Sequence, residues 1–350
     1  MLTHTWHQLS QLYPPKPTFT EKHLPALNDK ASFVHFLSRF STNTGLTRLQ
    51  VYIVTGASGG VGKELAQMLY AKNARVYVAA RSEEKAAAAI DAIKAAAPES
   101  SGQLTFLHLD LADLSTISAS AKQFLERESK LHVLFNNAGV MNPAQGSKTA
   151  QDYELQLGVN NIGTFMFTKL LTPTLATTAK IEDPGTVRVV WVSSSAAESP
   201  YAPSGGVDMS DIEKRLDKGV FASYALSKAG NYLHAGEMAK RFREDGIVSV
   251  PLNPGNLASD LWRTQGSWAS WFLRTFVLHA PKYGAYTELF AGLSPQVTLE
   301  KSGQWIGPWG RFLLVRSDLQ QGLKTKEEGG LGTAEAFWDW TEAKIKPYLE

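Results

Sequence analysis

The feature that most constrains the fold is an alternation, from Val51 onward, of short β-branched runs with longer helical patterns. Strand-length runs separated by helix-length segments are typical of βαβ units and therefore of a parallel sheet. Helices between consecutive parallel strands form right-handed crossovers, so the pattern predicts one doubly wound α/β sheet with helices on both faces. Ligands bind such a sheet at the carboxyl ends of its strands.

The pattern also places the individual elements. Strands are predicted at 51–55, 75–80, 104–109, 131–136, 187–193 and 248–252, and helices at 60–72, 83–96, 113–128, 151–178, 221–244 and 333–348. In the helix at 113–128, the apolar residues recur with the 3.6-residue period and predict one face that covers the sheet. These residues are Leu114, Ile117, Ala121, Phe124 and Leu125.

The domain organisation follows from these elements. Residues 51–350 are predicted to form one α/β domain, with 256–350 as its C-terminal part and 1–50 as an N-terminal extension. The aromatic segment 266–280 is interpreted as a substrate lid, with ordinary core packing or a membrane-surface patch as the alternatives.

Residues 31–50 interrupt what otherwise reads as a direct entry to the first strand. We hypothesise a retained intron or a recent surface insertion, because Ala31-Ser32 can be encoded by a splice-donor-like GCAAGT and Leu46-Thr47 can contain a CTAAC branch sequence. Gln50 can likewise end the segment in CAG. The alternative is a genuine peripheral helix. We expect removal of 31–50 to leave folding and activity intact, because surface insertions cost little to remove.

Composition excludes several classes of function. The 35 Lys and Arg residues and 33 Asp and Glu residues give a formal net charge of +2. This charge is too small to indicate a nucleic-acid-binding protein. The chain has no cysteine, which excludes disulfides and Cys-ligated metal sites, and its eight His residues show no metal-ligand spacing. No sequon and no apolar stretch long enough for a bilayer is found, so we expect a cytoplasmic protein without a transmembrane segment or a metal.

A glycine-rich loop follows the first predicted strand and opens a helix, with the sequence Thr55-Gly56-Ala57-Ser58-Gly59-Gly60-Val61-Gly62. Glycines at 56, 60 and 62 let the backbone approach a pyrophosphate at the helix N-terminus. The same residues match the G-x-S-x-G nucleophile elbow of α/β-hydrolases. We disfavour a hydrolase, because that elbow follows several strands and this loop follows the first.

Further motifs arrive in a fixed order along about residues 51–310, and together they resemble the short-chain dehydrogenase/reductase family. The motifs are the loop Thr55–Gly62, Asn136-Asn137-Ala138-Gly139, Asn160, Ser194, Tyr224-x-x-x-Lys228 and Asn253-Pro254-Gly255. Within the family, residues 76–81 (VYVAAR), the strand end Leu109-Asp110-Leu111, the long gap between Ser194 and Tyr224, and residues 303–311 are similar to the retinol-dehydrogenase-like branch and its fungal members.

The resemblance implies that 51–350 is a Rossmann-type dinucleotide-binding and catalytic domain, with 256–350 as its substrate-side lid and C-terminal part. It further implies an oxidoreductase that transfers a hydride between NADP(H) and the carbonyl or alcohol group of a small apolar substrate. It also implies a homo-oligomer. A catalytically silent NADP(H)-binding sensor or scaffold is the alternative function.

The resemblance assigns the catalytic roles to Asn160, Ser194, Tyr224 and Lys228. Tyr224 and Lys228 share a helix face, so the ammonium is expected to lower the phenol pKa from its usual value of about 10. Ser194 ends a strand where it can hydrogen-bond the substrate oxygen, although Ser193 and Ser195 compete for this role. Asn160, preferred over Asn161, lies among poor helix formers that predict a kink.

The expected cofactor-binding residues follow from the same resemblance: Gly56, Ser58, Gly60, Val61, Gly62, Arg81, Lys85, Asp110, Leu111, Asn137, Ala138, Gly139, Tyr224, Lys228, Pro254, Gly255, Leu257 and Ser259. At the end of the second strand, NAD-binding sheets carry an acidic residue that would repel a 2′-phosphate. In this sequence that position is Ala80, and Arg81 follows it. This pattern favours NADP(H), with NAD(H) as the alternative.

Overall fold

The computed structural model describes residues 10–28, 49–210, 212, 219–258 and 278–349, which form a mixed sheet with helices on both faces. The strands are β1 Val51–Thr55, β2 Arg75–Ala80, β3 Gln103–His108, β4 Val133–Asn136, β5 Arg188–Val192, β6 Val248–Leu252, β7 Ile306–Gly307 and β8 Arg311–Phe312. The helices are α1 Gly60–Tyr70, α2 Glu83–Ala96, α3 Leu114–Leu125, α4 Thr164–Ala179, α5 Val220–Arg241, α6 Pro281–Leu293, α7 Ser317–Leu323 and α8 Thr333–Ile345.

The strand order is β3-β2-β1-β4-β5-β6-β7-β8. Strands β1 to β7 are parallel, and β8 pairs antiparallel with β7. The doubly wound sheet is therefore confirmed. The order reverses between β1 and β4, which opens a crevice at their carboxyl ends, the usual ligand position in such sheets.

The sheet separates two hydrophobic cores. Alternate residues of β1 point to opposite faces, so Ile53 belongs to one cluster and Val54 to the other. The first cluster packs under α3, α4, α5 and α8, and the second under α1, α2 and α6. The predicted apolar face of α3 is buried apart from Leu125, which is 40% exposed, so its assignment to that face is wrong. Leu125 is the last residue of α3.

The N-terminal segment packs against the second core through the buried side chains of Phe19, Leu24 and Leu27. Asn28 and Leu49 form an isolated antiparallel bridge, and the Gln50 N–H donates to the Leu27 carbonyl at 3.0 Å. The chain positions on either side of 29–48 are therefore adjacent. Residues 31–48 of the hypothesised insertion lie outside the described residues.

We expect a deletion of residues 31–48 to leave folding and cofactor binding intact. The adjacency of Asn28 and Leu49 means that a short turn can close the gap. The deletion stops at 48 because the Gln50 carbonyl accepts the Arg75 N–H at 3.0 Å and so holds the entry to β1. Thermal unfolding of the full chain and of the deletion variant measures the effect. A large loss of stability would show that the segment is integral to the fold.

Candidate active site

The glycine-rich loop is tied to the segment after β4. The Thr55 hydroxyl donates to the Phe135 carbonyl at 3.1 Å and accepts from the Ala138 N–H at 2.9 Å, while Asn137 Nδ2 donates to the Thr55 carbonyl at 2.7 Å. A Cβ at Gly62 would lie 2.5 Å from Asn137 Nδ2 and 2.9 Å from the backbone carbonyl oxygen of Gly56. Glycine is therefore required at position 62 for the loop and the Asn-Asn-Ala-Gly segment to meet at the switch point.

The upper side of this loop is open. Gly56 and Gly60 have positive φ values of 69° and 54°, and a Cβ at Gly59 or Gly60 would contact nothing within 4 Å. The loop leads directly into the N-terminus of α1, whose free N–H groups and dipole favour an anion. The residues present thus fit a dinucleotide pyrophosphate.

The serines after β5 have different partners. The Ser193 hydroxyl is buried and donates to the Lys228 carbonyl at 2.6 Å, which commits it to holding α5. The Ser194 hydroxyl accepts from the Ala196 N–H at 3.2 Å and forms a hydrogen bond with the Tyr224 side chain. Of the two, Ser194 is the serine placed against the tyrosine.

Lys228 is held in place one turn after Tyr224 on α5. Its Nζ donates to the Val192 carbonyl at 2.9 Å and lies 5.7 Å from the centroid of the Tyr224 ring. A Cβ at Gly139 would lie 3.3 Å from the same Nζ. The lysine therefore bridges the end of β5, the tyrosine and the segment after β4.

Asn160 lies in a π-helical segment, Gly158–Gly163, that precedes α4. Its amide exchanges two hydrogen bonds with Val140, accepting from the N–H at 2.8 Å and donating to the carbonyl at 3.0 Å, and it also donates to the Ser227 hydroxyl. The neighbouring Asn161 instead donates to the Ser227 carbonyl and to Asn231. Asn160 is thus the asparagine on the side of Gly139 and Lys228, and π-helical segments are typical of functional sites.

A cleft of about 290 Å³ opens where these groups meet. The predicted site residues that line it are Val61, Asn137, Gly139, Ser194, Tyr224, Lys228, Pro254, Gly255 and Leu257. The other predicted residues that the structure describes do not line it, and among them is Asn160, whose Oδ1 would lie 3.1 Å from a Cβ at Gly139. Gly56, Ser58, Gly60, Gly62 and Ala138 belong to the paired loops, while Arg81 and Lys85 are exposed beyond β2. Asp110 and Leu111 follow β3, where Asp110 Oδ1 accepts the Ala112 N–H at 2.9 Å.

Comparison with known proteins identifies the family of this chain. The sequence model of short chain dehydrogenases matches residues 50–205. A short-chain dehydrogenase/reductase of Phomopsis amygdali is 52% identical over 97% of this chain and 96% of its own length. The chain belongs to the short-chain dehydrogenase/reductase family. It is therefore an oxidoreductase, and its similarity to fungal members is confirmed.

Solved structures show the same fold for this short-chain dehydrogenase/reductase. An NADPH-bound carbonyl reductase from chicken fatty liver aligns with a TM-score of 0.57 at 22% identity, covering 77% of this chain and 95% of that one. A 3-ketoacyl-(acyl-carrier-protein) reductase from Brucella melitensis complexed with NADH also gives 0.57, at 19% identity, over 75% and 98%. Both nicotinamide cofactors thus occur in structures of this fold.

The pKa of Tyr224 differs from the prediction. Burial raises the pKa of Tyr224 to about 12, while its hydrogen bond with Ser194 acts in the opposite direction. Burial also lowers the pKa of Lys228 to about 8. The expectation of a lowered phenol pKa is wrong in this structure, because desolvation of the buried phenolate has the largest influence on that pKa. Tyr224 is held protonated at neutral pH, which is the form that can donate a proton.

Glu288 is a buried acidic residue that the sequence analysis missed. It lies on α6, and neither carboxyl oxygen has a hydrogen-bond partner among the described residues. Gly284 and Gly292, four residues to either side, face Val61 and Phe135, so Glu288 faces the sheet beneath the cofactor loop. Burial raises the pKa of its carboxyl to about 8, and the Lys228 charge opposes this shift. A single Glu in a helix gives no sequence signal of burial.

We expect Glu288→Gln to change the pH dependence of stability. The native pKa lies above the usual value of 4.5, so between the two values the native state binds more protons than the unfolded state. Wild-type stability therefore falls as the pH rises from about 5 to about 8. The neutral amide removes this titration, so the variant should gain about 1–3 kcal/mol relative to wild type across that range.

Urea unfolding at several pH values measures this gain, with Glu300→Gln as the matched control at an exposed position. Parallel pH profiles for wild type and Glu288→Gln would contradict the prediction.

The cleft also contains residues that the motifs did not indicate. They are Val140, Met141, Val192, Ala196, Ser199, Phe221 and Asn256. Phe221 lies three residues before Tyr224 on the same helix, so helical periodicity could have found it. Ser259 and residues 266–277 of the expected lid lie outside the described residues. Among the helices that the structure describes, none has the length and apolar character needed to cross a bilayer.

Proposed function

We propose that this chain transfers a hydride between NADP(H) and the carbonyl or alcohol group of a small apolar substrate, with Tyr224 as the acid/base. The observation that carries the proposal is the convergence of Ser194, Tyr224 and Lys228 on a cleft that also contains Val61 and Gly255. A proton donor and the end of a dinucleotide loop therefore border the same space. This arrangement suits the transfer of a hydride and a proton to one carbonyl group.

The nicotinamide, when bound, supplies or accepts the hydride. Tyr224 donates its proton to the carbonyl oxygen, while the Ser194 hydroxyl donates a hydrogen bond to the same oxygen. Lys228, fixed by the Val192 carbonyl, keeps a positive charge beside the phenol and offers its remaining N–H groups to the ribose hydroxyls. Asn160 holds the backbone at Val140 and so supports the wall of the cleft.

The cleft wall indicates an apolar substrate. Val140, Met141 and Phe221 contribute apolar surface beside the tyrosine. Phe221 packs edge-to-face on Tyr201 with ring centroids 5.1 Å apart, and both rings are partly open to solvent, at 41% and 62% exposure. An exposed aromatic pair three residues from the acid/base favours the entry of apolar or aromatic carbonyl compounds.

The proposed cofactor preference rests on the end of β2. Ala80 is the last residue of the strand and is almost fully buried, while Arg81 is exposed next to it and Ser82 caps α2 by accepting the Lys85 N–H. A guanidinium at this place can bind a 2′-phosphate with two charge-assisted hydrogen bonds. We therefore propose NADP(H) over NAD(H).

The compartment and assembly are part of the same proposal. A chain without cysteine suits the reducing cytoplasm, and the family resemblance suggests a homo-oligomer.

The decisive experiment follows the nicotinamide absorbance of NADPH with purified protein and a panel of apolar ketones and aldehydes. We expect oxidation of NADPH that depends on the carbonyl compound and increases with its apolar character. NADPH binding without turnover of any carbonyl or alcohol in the panel would instead support a sensor or scaffold.

A further inference from the structure

Gln11 of the N-terminal segment has a buried side chain, although the side chains that follow it in the sequence are exposed. Residues 10–12 are helical, and Gln11 is 5% exposed, whereas Leu12 and Tyr13 are 45% and 71% exposed. A buried amide needs a partner for its carbonyl and for its NH₂ group, because an unsatisfied polar atom is costly away from water.

Gln11 finds both partners on loops that border the active-site cleft. Its Nε2 donates to Glu198 Oε2 at 2.9 Å, and its Oε1 accepts from Asn253 Nδ2 at 2.8 Å. Glu198 and Asn253 are themselves buried, at 7% and 2% exposure. The amide thus joins two groups that lie 55 residues apart in the chain.

Each partner is built into its own loop. Glu198 ends the short 3-10 helix Ser195–Glu198, which begins directly after Ser194, and its Oε1 accepts the Arg316 N–H at 3.1 Å. Asn253 begins the loop after β6, and its Oδ1 accepts the Gly255 N–H at 3.0 Å. One loop carries Ser194, and the other carries residues of the cleft wall around Gly255.

The polarity of the amide matches this position. A glutamine can donate to the Glu198 carboxylate and accept from the Asn253 amide at the same time, which neither a glutamate nor an apolar residue can do. The backbone is anchored separately, since Arg311 Nη2 donates to the Ser10 carbonyl at 2.8 Å. The N-terminal segment is therefore attached both through its backbone at Ser10 and through the Gln11 side chain.

We infer that Gln11 is a positioning residue of the active site, which holds the Ser194 loop and the Asn253–Gly255 loop at a fixed separation. Gln11 does not line the cleft, so it acts through these loops and not on the substrate. The inference rests on the proposed function, because the separation of the two loops matters for catalysis only if Ser194 acts on a substrate in the cleft. The N-terminal segment is then part of the catalytic unit.

The test uses the full chain and a charge exchange. Gln11→Glu keeps the shape of the side chain but sets a carboxylate against Glu198. The double variant Gln11→Glu/Glu198→Gln restores one donor and one acceptor across the same contact. Leu12→Glu adds the same charge to the neighbouring exposed side chain and is the matched control.

We expect Gln11→Glu to lower kcat/KM for an apolar ketone by about 10- to 100-fold, because small displacements of catalytic groups have effects of this size. Hydrogen exchange should accelerate in peptides that cover 195–199 and 253–257 and stay unchanged in β1 and β4. The double variant should recover both properties, and Leu12→Glu should match wild type. If Gln11 served only stability, hydrogen exchange would accelerate across the whole sheet, and the double variant would not recover kcat/KM.

Unchanged exchange of the two loops in Gln11→Glu would overturn the inference, as would a double variant that recovers neither property. If Gln11→Glu does not fold, Gln11→Met removes the hydrogen bonds without adding charge and is measured in the same way. Absence of turnover in the wild type would count against the proposed function, while loop exchange and NADPH binding would still decide whether Gln11 couples the loops.

Discussion

Tyr224→Phe should lower kcat by about 10²- to 10⁴-fold and leave the NADPH dissociation constant nearly unchanged. The substitution removes the proton donor, whereas the ring keeps its packing in the first core cluster. Burial holds Tyr224 protonated at neutral pH, with a pKa of about 12, so the hydroxyl is available as an acid in wild type. Steady-state turnover and fluorescence titration with NADPH measure the two quantities.

Tyr232→Phe is the matched control for this experiment. Tyr232 lies on the same helix, is equally buried, and packs edge-to-face against Trp305 at 5.8 Å, away from the cleft lining. It should retain wild-type turnover. A Tyr224→Phe variant that reduces substrate at the wild-type rate would remove Tyr224 from the mechanism.

Replacement of Ala80 by Asp together with Arg81 by Ser should shift the cofactor preference from NADPH towards NADH by about 2–4 kcal/mol. The new carboxylate repels the 2′-phosphate and can accept hydrogen bonds from the ribose of NADH, while the loss of Arg81 removes a charged hydrogen bond. This free energy corresponds to about 30- to 1000-fold in the ratio of the two dissociation constants.

The control for charge is Lys94→Ser, which removes one exposed cation at the far end of α2. It should leave the preference as it is in wild type. The proposal for NADP(H) fails if the unaltered protein already binds NADH as tightly as NADPH, since Arg81 would then be only a solvated residue beyond the strand.

The sequence by itself determined the six longer parallel strands of the described sheet, β1 to β6. The predicted bounds of β1, β2, β6 and α2 agree with the structure. In each of these segments the local pattern of apolar and polar residues is typical of either a strand or a helix. Strands β7 and β8 have two residues each, and such runs are too short to show a period. Helix α6 was also missed, since its buried residues surround it on most sides and leave no polar face to mark an amphipathic pattern.

The order of the motifs along the chain likewise indicated the family, and the choice of Asn160, Ser194, Tyr224 and Lys228 as catalytic residues stays a prediction. The structure adds physical observations that separate the competing residues. The Ser193 hydroxyl holds α5, whereas the Ser194 side chain forms a hydrogen bond with Tyr224. The Asn161 amide holds Asn231, whereas Asn160 bonds Val140 beside Gly139.

Only the tertiary structure decided the environment of the ionisable groups and the contacts between distant segments. The pKa of Tyr224 follows from its burial, and the burial of Glu288 depends on how α6 lies on the sheet. Gln11 meets Asn253 across 242 residues of chain. Periodicity and motif spacing describe neighbours along the chain, whereas desolvation and hydrogen bonding depend on which surfaces meet after packing, and no local pattern in a single sequence specifies that.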